Sequence, residues 1–186
     1  MRELIANALV HQDFTAVGAG PLIELFRDRL EISNPGVPLH ADTRRLLDSP
    51  PKSRNEALAG FLRKCRICEE RGSGIDKAAL AAEEAHLPAP EVRAVESSTI
   101  ARLLGPRPLA SMEREDRLWA TYLHTSLRYV NQQDVTNATI RERFGIDPRN
   151  SATASRLLRD AQDHELIRPR DPSAGPGQMR YVPFWA

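Results

Sequence analysis

The run Gly105-Pro106-Arg107-Pro108 most strongly constrains how this chain of 186 residues can fold. Proline lacks an N–H donor and has a fixed φ, whereas glycine accepts backbone conformations that other residues resist, so neither a helix nor a strand is expected to continue through it. Periodic apolar patterns lie on both sides of the run. We therefore expect a first domain over residues 1–104, a linker over 105–110 and a second domain over 111–186.

The first part of the chain mixes helix-like and strand-like patterns. The predicted helices cover residues 2–11, 55–71 and 75–86, and the predicted strands cover 21–28, 30–33, 92–95 and 99–104. A turn is expected at Asn34-Pro35-Gly36, since these are typical turn residues. The polar segment 37–54, with a short helical stretch at 43–47, is a long loop of the kind that often has a function. This part is expected to be an α+β domain.

The second part predicts three helices followed by a β-hairpin. An apolar stripe begins at Met112, Thr136 can cap a short second helix that Gly145 ends, and a third helix is expected from 151 to about 164. A hairpin with a glycine-rich tip follows over 166–185. This order of elements is that of a C-terminal winged helix-turn-helix, in which the helix after the turn enters the DNA major groove and the hairpin wing touches the backbone.

The third helix and the wing carry side chains suited to duplex DNA. Candidate DNA-binding residues are Ser151, Thr153, Ser155, Arg156 and Arg159 on the helix, and Arg168, Arg170 and Arg180 on the hairpin. A homodimer is expected, because one recognition helix covers only a short site. The alternative is that the winged helix is a protein-docking or dimerisation module, and Asp160, Asp163 and Glu165 dilute the basic surface.

Composition excludes several classes of protein. The chain is 41% hydrophobic and 27% charged, which is ordinary for a globular protein. It has neither a run of about twenty apolar residues nor a secretory leader, so we expect a cytoplasmic protein without a membrane partner. The net charge of +1 does not indicate whether the chain binds nucleic acid. From residue 111 onward the chain contains arginine but no lysine. This preference suits phosphate contacts, but a genomic composition bias would give the same result.

Three sequence motifs bear on catalysis and metal binding. The chain has no Gly-x-x-x-x-Gly-Lys phosphate loop, so nothing indicates a nucleotide-driven motor. Cys65 and Cys68 form a C-x-x-C inside a predicted helix without a second Cys or His pair, and we expect two buried structural thiols. On the first helix, Glu3, Asn7 and His11 lie four residues apart and form one polar stripe beside Leu4, Ile5, Ala8 and Leu9.

Four ordered segments resemble one family. The segments RELIANALVHQDF, LEISNPGVPL, SRNEALAGFL and ERGSGIDK, within residues 2 to about 86, closely resemble the family labelled "putative ATP-dependent DNA helicase RecG, C-terminal". This family is similar to the GHKL ATPases, such as gyrase, histidine kinases and MutL. It commonly follows a Schlafen-like domain and precedes a winged helix in bacterial transcriptional regulators. The resemblance implies a partial GHKL-like α/β sandwich that lacks its N-terminal part.

The resemblance also implies roles in an ATPase site. Glu3 stands where the GHKL acid activates the attacking water, and Asn7 where an amide oxygen ligates the magnesium that bridges the phosphates. Asn34 and Gly36 stand where the larger family has Asp-x-Gly, whose Asp accepts a hydrogen bond from adenine.

The remaining positions in this resemblance concern the phosphates. Gly72 and Gly74 match the second glycine box, whose backbone amides hold phosphate at a helix N-terminus. Arg54, on the long loop, corresponds to a lid cation.

Two hypotheses follow for function. The first is the C-terminal portion of a bacterial transcriptional regulator that binds duplex DNA without a required cofactor and is not an enzyme. In it, the ATPase-like domain is a scaffold or dimerisation unit, and Glu3, Asn7 and His11 bond neighbouring loops. The alternative is a magnesium-dependent ATP-binding or ATP-hydrolysing domain, with Glu3 as the base. A third possibility is that both domains are only interfaces and a region missing from the N-terminus contacts nucleic acid.

Overall fold

The structure is a computed structural model that describes residues 1–40, 42–68, 74–175 and 177–186. These residues form six α-helices and two antiparallel sheets, so the prediction of a mixed α and β protein is confirmed. The chain divides into a first unit of residues 1–81 and 90–105, and a second unit of residues 82–89 and 106–186. The sequence-based division differs for residues 82–89, which it placed in the first domain. None of the helices in these described ranges is both long and apolar enough to cross a membrane.

The first unit is built on a four-stranded antiparallel sheet. Helix α1 covers Arg2–His11, α2 covers Glu56–Lys64 and α3 covers Gly74–Glu84, whose last residues belong to the second unit. The strands are β1 Leu22–Leu25, β2 Arg29–Pro35, β3 Glu91–Val95 and β4 Ser98–Leu104, in the order β1-β2-β4-β3. In the long loop, the short helical stretch is a 3-10 turn at Thr43–Arg45.

Alternation along β2 explains the core of the first unit. Leu30 and Ile32 are buried while the residues between them are half-buried, as expected for a strand covered on one face. They pack in one cluster with Leu4 and Ala8 of α1 and with Ala78 of α3. Burying such aliphatic side chains stabilises the fold by about 1.5–3 kcal/mol for each large one. This cluster therefore fixes α1 on the sheet.

Two details of the first unit differ from the sequence-based expectations. Asn34 and Pro35 are not in a turn but end β2, because they pair with Thr99 and Ser98 of β4. The turn begins instead at Gly36, whose φ of 102° is a backbone conformation that other residues rarely adopt. On α1, Leu9 is 38% exposed rather than part of the apolar face.

The expectation of two buried thiols in a helix is wrong. Helix α2 ends at Lys64, and Cys65 and Cys68 follow in a turn, with Cys65 exposed and Cys68 half-buried. The physical reason is a Schellman motif, in which Arg66 has a φ of 57° and the Ile67 amide donates to the Leu62 carbonyl at 2.9 Å. A left-handed arginine at this position gives little signal in a sequence.

The second unit contains three helices and a two-stranded hairpin. Helix α4 covers Arg114–Val130, α5 covers Asn137–Phe144 and α6 covers Ser151–Asp163, and the hairpin pairs β5 Ile167–Pro169 with β6 Tyr181–Pro183. Val135, before α5, forms an additional antiparallel bridge with Tyr181. The expected caps of α5 are confirmed, since the Thr136 hydroxyl accepts from the Thr139 amide and Gly145 has a φ of 61°.

One apolar cluster joins all of these elements. It contains Tyr122 of α4, Ile140 of α5, Leu158 of α6 and Ile167 of β5, each at most 2% exposed. The Trp185 indole donates a hydrogen bond of 3.1 Å to the Tyr122 hydroxyl, so these large aromatic side chains are part of the core. Apolar burial on one side of α6 leaves its polar side facing solvent.

Candidate functional site

A cavity of about 180 Å³ lies in the first unit. Its lining comes from α1, β2, the segment 38–53, α2, the start of α3 and strands β3 and β4. Gly74 lines it together with four of the polar residues that the sequence singled out, namely Glu3, Asn7, His11 and Asn34. The fold thus gathers residues from three distant parts of the chain around one space.

The polar stripe of α1 meets the first turn of α3 in this cavity. A Cβ built on Gly74 would lie 3.3 Å from Nδ2 of Asn7 and 3.5 Å from Oε2 of Glu3, so it would fit beside Glu3 but press slightly on Asn7. The Glu3 carboxylate also pairs with Arg2 over 3.2 Å and is 13% exposed. An acid near a helix N-terminus is favoured by the helix dipole. The arrangement therefore places a carboxylate and an amide beside Gly74, the first residue of α3.

His11 completes the stripe as a neutral base. Burial lowers the pKa of the His11 imidazole, and the nearby Arg54 and His40 lower it further. An imidazole with a lowered pKa is uncharged near neutral pH and can both donate and accept a hydrogen bond. The cavity therefore contains an uncharged imidazole beside the acid and the amide of the same helix.

Asn34 lies at the end of β2 and is 5% exposed. Its Nδ2 donates to the Pro35 carbonyl at 3.2 Å. The neighbouring backbone is held by Thr99, whose hydroxyl donates to the Gly36 carbonyl at 2.7 Å. This bond fixes the loop that leaves β2 next to the cavity.

Two described residues from the predicted site, Gly36 and Arg54, are not among those that line the cavity. Gly36 packs against Arg54, since a Cβ at Gly36 would lie only 2.9 Å from the Arg54 Cζ. The Arg54 guanidinium donates to the Val37 carbonyl at 2.5 Å and faces Asp13 at 3.8 Å, so it holds the loop that follows β2. Gly72 lies outside the described residues.

The cavity includes polar residues that the sequence did not single out. They include Thr99, Lys52 and Arg63, and Cys68 of the C-x-x-C motif also lines the cavity. Arg63 and Cys68 lie at the end of α2 and just after it, where helical periodicity was visible but nothing indicated a cavity. Within the described ranges, no group of three or more His, Cys, Asp or Glu side chains is placed to hold a metal ion.

The second candidate site is the polar face of α6. Ser151, Ser155, Arg156 and Arg159 are exposed and Thr153 is half-buried, while Ala154, Leu157, Leu158 and Ala161 are buried. The Arg156 side chain stays along its own helix, donating to the Ala152 carbonyl at 3.4 Å and to the Thr153 hydroxyl at 3.3 Å. The helix thus presents a polar face with two arginines.

The hairpin arginines have partners within the second unit. Arg170 lies 2.9 Å and Arg180 lies 3.5 Å from the carboxylate of Asp134. Arg168 donates to the carbonyl oxygen of Ala186. All three groups remain near the surface, but their charge is partly balanced there.

Comparison with solved structures finds a likeness of fold. The chain resembles the DIP2311 protein from Corynebacterium diphtheriae with a TM-score of 0.56 and 18% sequence identity, over 98% of this chain and 39% of that one. The chain therefore spans about two fifths of the length of that protein. A comparison with curated proteins found no match.

A family model matches most of the first unit after α1. The match covers residues 18–103, so α1 with Glu3, Asn7 and His11 lies before it, and all of β3 and β4 except Leu104 lies inside it. The roles that the resemblance assigned to Glu3 and Asn7 thus concern residues outside the matched segment. Residues 18–103 match the model of the family described as "Putative ATP-dependent DNA helicase recG C-terminal".

Proposed function

We propose that the second unit is a winged helix that binds duplex DNA, in the C-terminal portion of a bacterial transcriptional regulator. The observation that carries this proposal is the polar face of α6. The opposite, apolar face of α6 is buried in the core, so the polar face is the one that can contact DNA. The first unit then serves as a scaffold or dimerisation unit.

The order and joining of the elements support a helix-turn-helix. Helix α5 ends at Gly145 in a left-handed conformation, and a short turn follows in which the Asp147 carboxylate accepts from the Arg149 amide at 2.8 Å before α6 begins. In such motifs the second helix enters the major groove with its N-terminal residues toward the bases. The hairpin, together with the bridge between Val135 and Tyr181, would serve as the wing.

The chemistry of the α6 face suits phosphate and base edges. Exposed arginines bind phosphates or guanine through paired N–H groups, and serine hydroxyls bind either kind of acceptor. Arg156 and Arg159 are the strongest candidates, because Arg170 and Arg180 already face Asp134. Electrostatic binding by two such arginines is compatible with a nearly neutral chain.

Fluorescence anisotropy with a labelled random duplex tests this proposal. We expect Arg156→Ala with Arg159→Ala to weaken binding about tenfold or more, as expected when two arginines that bind phosphates or bases are removed. The matched control is Arg114→Ala with Arg117→Ala on α4, which removes the same charge and should change affinity much less. Equal weakening by both pairs would contradict binding through α6, and no binding by the unaltered chain would favour a protein-docking module.

We also propose that two copies bind one DNA site, because a single recognition helix reads only a short sequence. Sedimentation of the protein with a duplex that it selects should give two chains for each duplex. One chain for each duplex at saturation would contradict this.

A second candidate function is nucleotide binding in the first unit. The observation that favours it is the cavity that is lined by Glu3, Asn7, Asn34 and Gly74, the first residue of α3. These donors fit parts of a magnesium–ATP complex, with Asn7 as an oxygen ligand of magnesium, Asn34 near adenine and Gly74 near phosphate. A nucleotide would supply the phosphate to be hydrolysed, and Glu3 would take a proton from water.

We place nucleotide binding second because the cavity is small. About 180 Å³ is below the roughly 300–1,000 Å³ of typical small-molecule sites, so the described residues enclose space for only part of a nucleotide. Calorimetry with magnesium and a non-hydrolysable ATP analogue tests whether the first unit binds a nucleotide. Binding that is abolished in Asn7→Ala supports the site, and no heat at millimolar analogue excludes a useful one.

A further inference from the structure

Asn137, the first residue of α5, connects the two helices of the motif. Its Nδ2 donates to the Ser151 carbonyl at 2.9 Å and to the Ser155 hydroxyl at 2.9 Å. Its Oδ1 accepts from Nε of Arg141 at 3.0 Å. Since a guanidinium only donates, the bond from Arg141 identifies the amide oxygen and fixes which way the Asn137 amide points.

The Asn137 amide also occupies the remaining hydrogen-bond acceptor position of the Ser151 carbonyl oxygen. A carbonyl oxygen has two lone pairs, and in a helix one of them accepts from the amide four residues later, here that of Ser155. The second lone pair accepts from Asn137. A serine hydroxyl in a helix commonly donates back to the carbonyl four residues earlier. For Ser155 that acceptor is already occupied.

The hydroxyl of Ser155 is therefore restricted to one direction of donation. One of its lone pairs accepts from Asn137, which leaves its hydrogen for an acceptor on the exposed side of α6. We infer that Asn137 is a positioning residue that directs the Ser155 hydroxyl as a hydrogen-bond donor toward an acceptor on duplex DNA. This inference rests on the proposed DNA-binding function of α6.

The matching groups on DNA are acceptors with the same chemistry. In the major groove they are purine N7, guanine O6 and thymine O4, and on the backbone they are phosphate oxygens. A neutral hydroxyl that donates to one of them contributes a hydrogen bond of ordinary strength. Its removal is expected to weaken binding about three- to tenfold.

A double-mutant cycle between protein and modified DNA tests the inference. The wild-type chain first selects a sequence from a randomised duplex library. Its affinity is then measured on that duplex with 7-deazapurine or 4-thiothymine substituted singly at each base, and with methylphosphonate at single phosphates. One substitution should weaken wild-type binding about three- to tenfold and have no effect on Ser155→Ala. A base substitution identifies a base acceptor, and a methylphosphonate identifies a phosphate.

Asn137→Asp then tests the positioning role. A carboxylate only accepts, so the Ser155 hydrogen turns toward Asp at 137 and the coupling to the DNA acceptor should disappear. Ala138→Asp adds the same charge at the exposed neighbour of Asn137 and should keep the coupling. Asn137→Ala is measured in parallel and should reduce the coupling without adding charge. Thermal unfolding followed by circular dichroism verifies that each variant is folded.

The outcomes separate this inference from the function on which it rests. If the wild-type chain binds duplex DNA in a salt-dependent manner but no substitution couples to Ser155, or if Asn137→Asp keeps the coupling, the inference is wrong and the DNA-binding proposal survives. If no salt-dependent binding occurs, both are wrong.

Discussion

Gly74 lies so close to Asn7 that a Cβ on the glycine would stand 3.3 Å from the Asn7 amide nitrogen. This distance joins the start of α3 to the polar stripe of α1 at the cavity. A methyl group at position 74 would require Asn7 to shift by a few tenths of an ångström, and Asn7 faces the cavity together with Glu3.

We therefore expect Gly74→Ala to disturb the cavity without unfolding the first unit. Alanine favours a helix by up to about 1 kcal/mol over glycine, which offsets a shift of a few tenths of an ångström in Asn7. Stability measured by urea unfolding should change by less than about 1 kcal/mol. If the cavity binds a nucleotide, calorimetric affinity for the magnesium–ATP analogue should fall by about tenfold or more.

Gly60→Ala is the matched control for this variant. Gly60 lies in α2, where the nearest contact of an added Cβ is 3.8 Å away at the end of Arg63. It should leave affinity unchanged. Equal decreases of affinity in both variants would show that position 74 has no special relation to the cavity.

Gly36→Ala should be strongly destabilising. The φ of 102° is unfavourable for alanine, and its Cβ would lie 2.9 Å from the Arg54 Cζ and 3.1 Å from the Asp13 Cβ. We expect a decrease of about 1–3 kcal/mol in the free energy of unfolding, measured with urea. Gly175→Ala, where an added Cβ meets nothing within 4 Å, should change little. Equal stability of the two variants would contradict the strain assigned to Gly36.

Glu83 is expected to stabilise the second unit through two buried partners. Its carboxylate lies 3.0 Å from Nδ1 of His124 and 3.5 Å from Nε of Arg143, whose side chain is 1% exposed. Burial lowers the pKa of the Arg143 guanidinium, and the charge of Glu83 opposes this. Glu83→Gln removes that charge, so we expect a decrease of about 3–5 kcal/mol in the free energy of unfolding.

The neighbouring exposed residue provides the comparison for Glu83. Glu84→Gln should cost less than about 0.5 kcal/mol, as surface substitutions usually do. Glu83→Gln combined with Arg143→Met should recover part of the stability, because no buried cation remains unpaired. If Glu83→Gln unfolds like Glu84→Gln, the buried pair contributes no stability.

The lowered pKa of His11 should make the stability of the first unit depend on pH. Its pKa is lowered in the folded state, so the unfolded chain binds more protons below the ordinary value of 6.5. The unfolding free energy should therefore be unaffected by this group above pH 6.5 and fall as the pH drops from 6.5 through the folded pKa. His11→Gln should reduce the difference between urea midpoints at pH 7.5 and pH 5.5. An unchanged difference would mean that His11 titrates alike in both states.

Much of the secondary structure was predictable because local patterns determine it. The apolar spacing of α6 places Ala154, Leu157 and Leu158 in the core and leaves Arg156 outside, and Thr136 and Gly145 mark the ends of α5 by capping. These features depend on residues within a few positions of each other.

The features that the sequence did not predict depend on remote partners. Residues 82–89 belong to the second unit because Glu83 meets His124 and Arg143, and no local pattern indicates that contact. The role of Asn137 depends likewise on Ser155 across a turn. In the cavity, the spacing of Glu3 and Asn7 was visible in the sequence, but the contribution of Thr99 required the pairing of β2 with β4.

The salt dependence of binding to random duplex DNA tests the central claim most directly. The logarithm of the binding constant of the full chain should fall linearly with the logarithm of salt concentration. Removing Arg156 and Arg159 should make that slope shallower by about one for each phosphate that these arginines neutralise. A flat dependence for the full chain, or an unchanged slope in the double variant, would contradict DNA binding through α6.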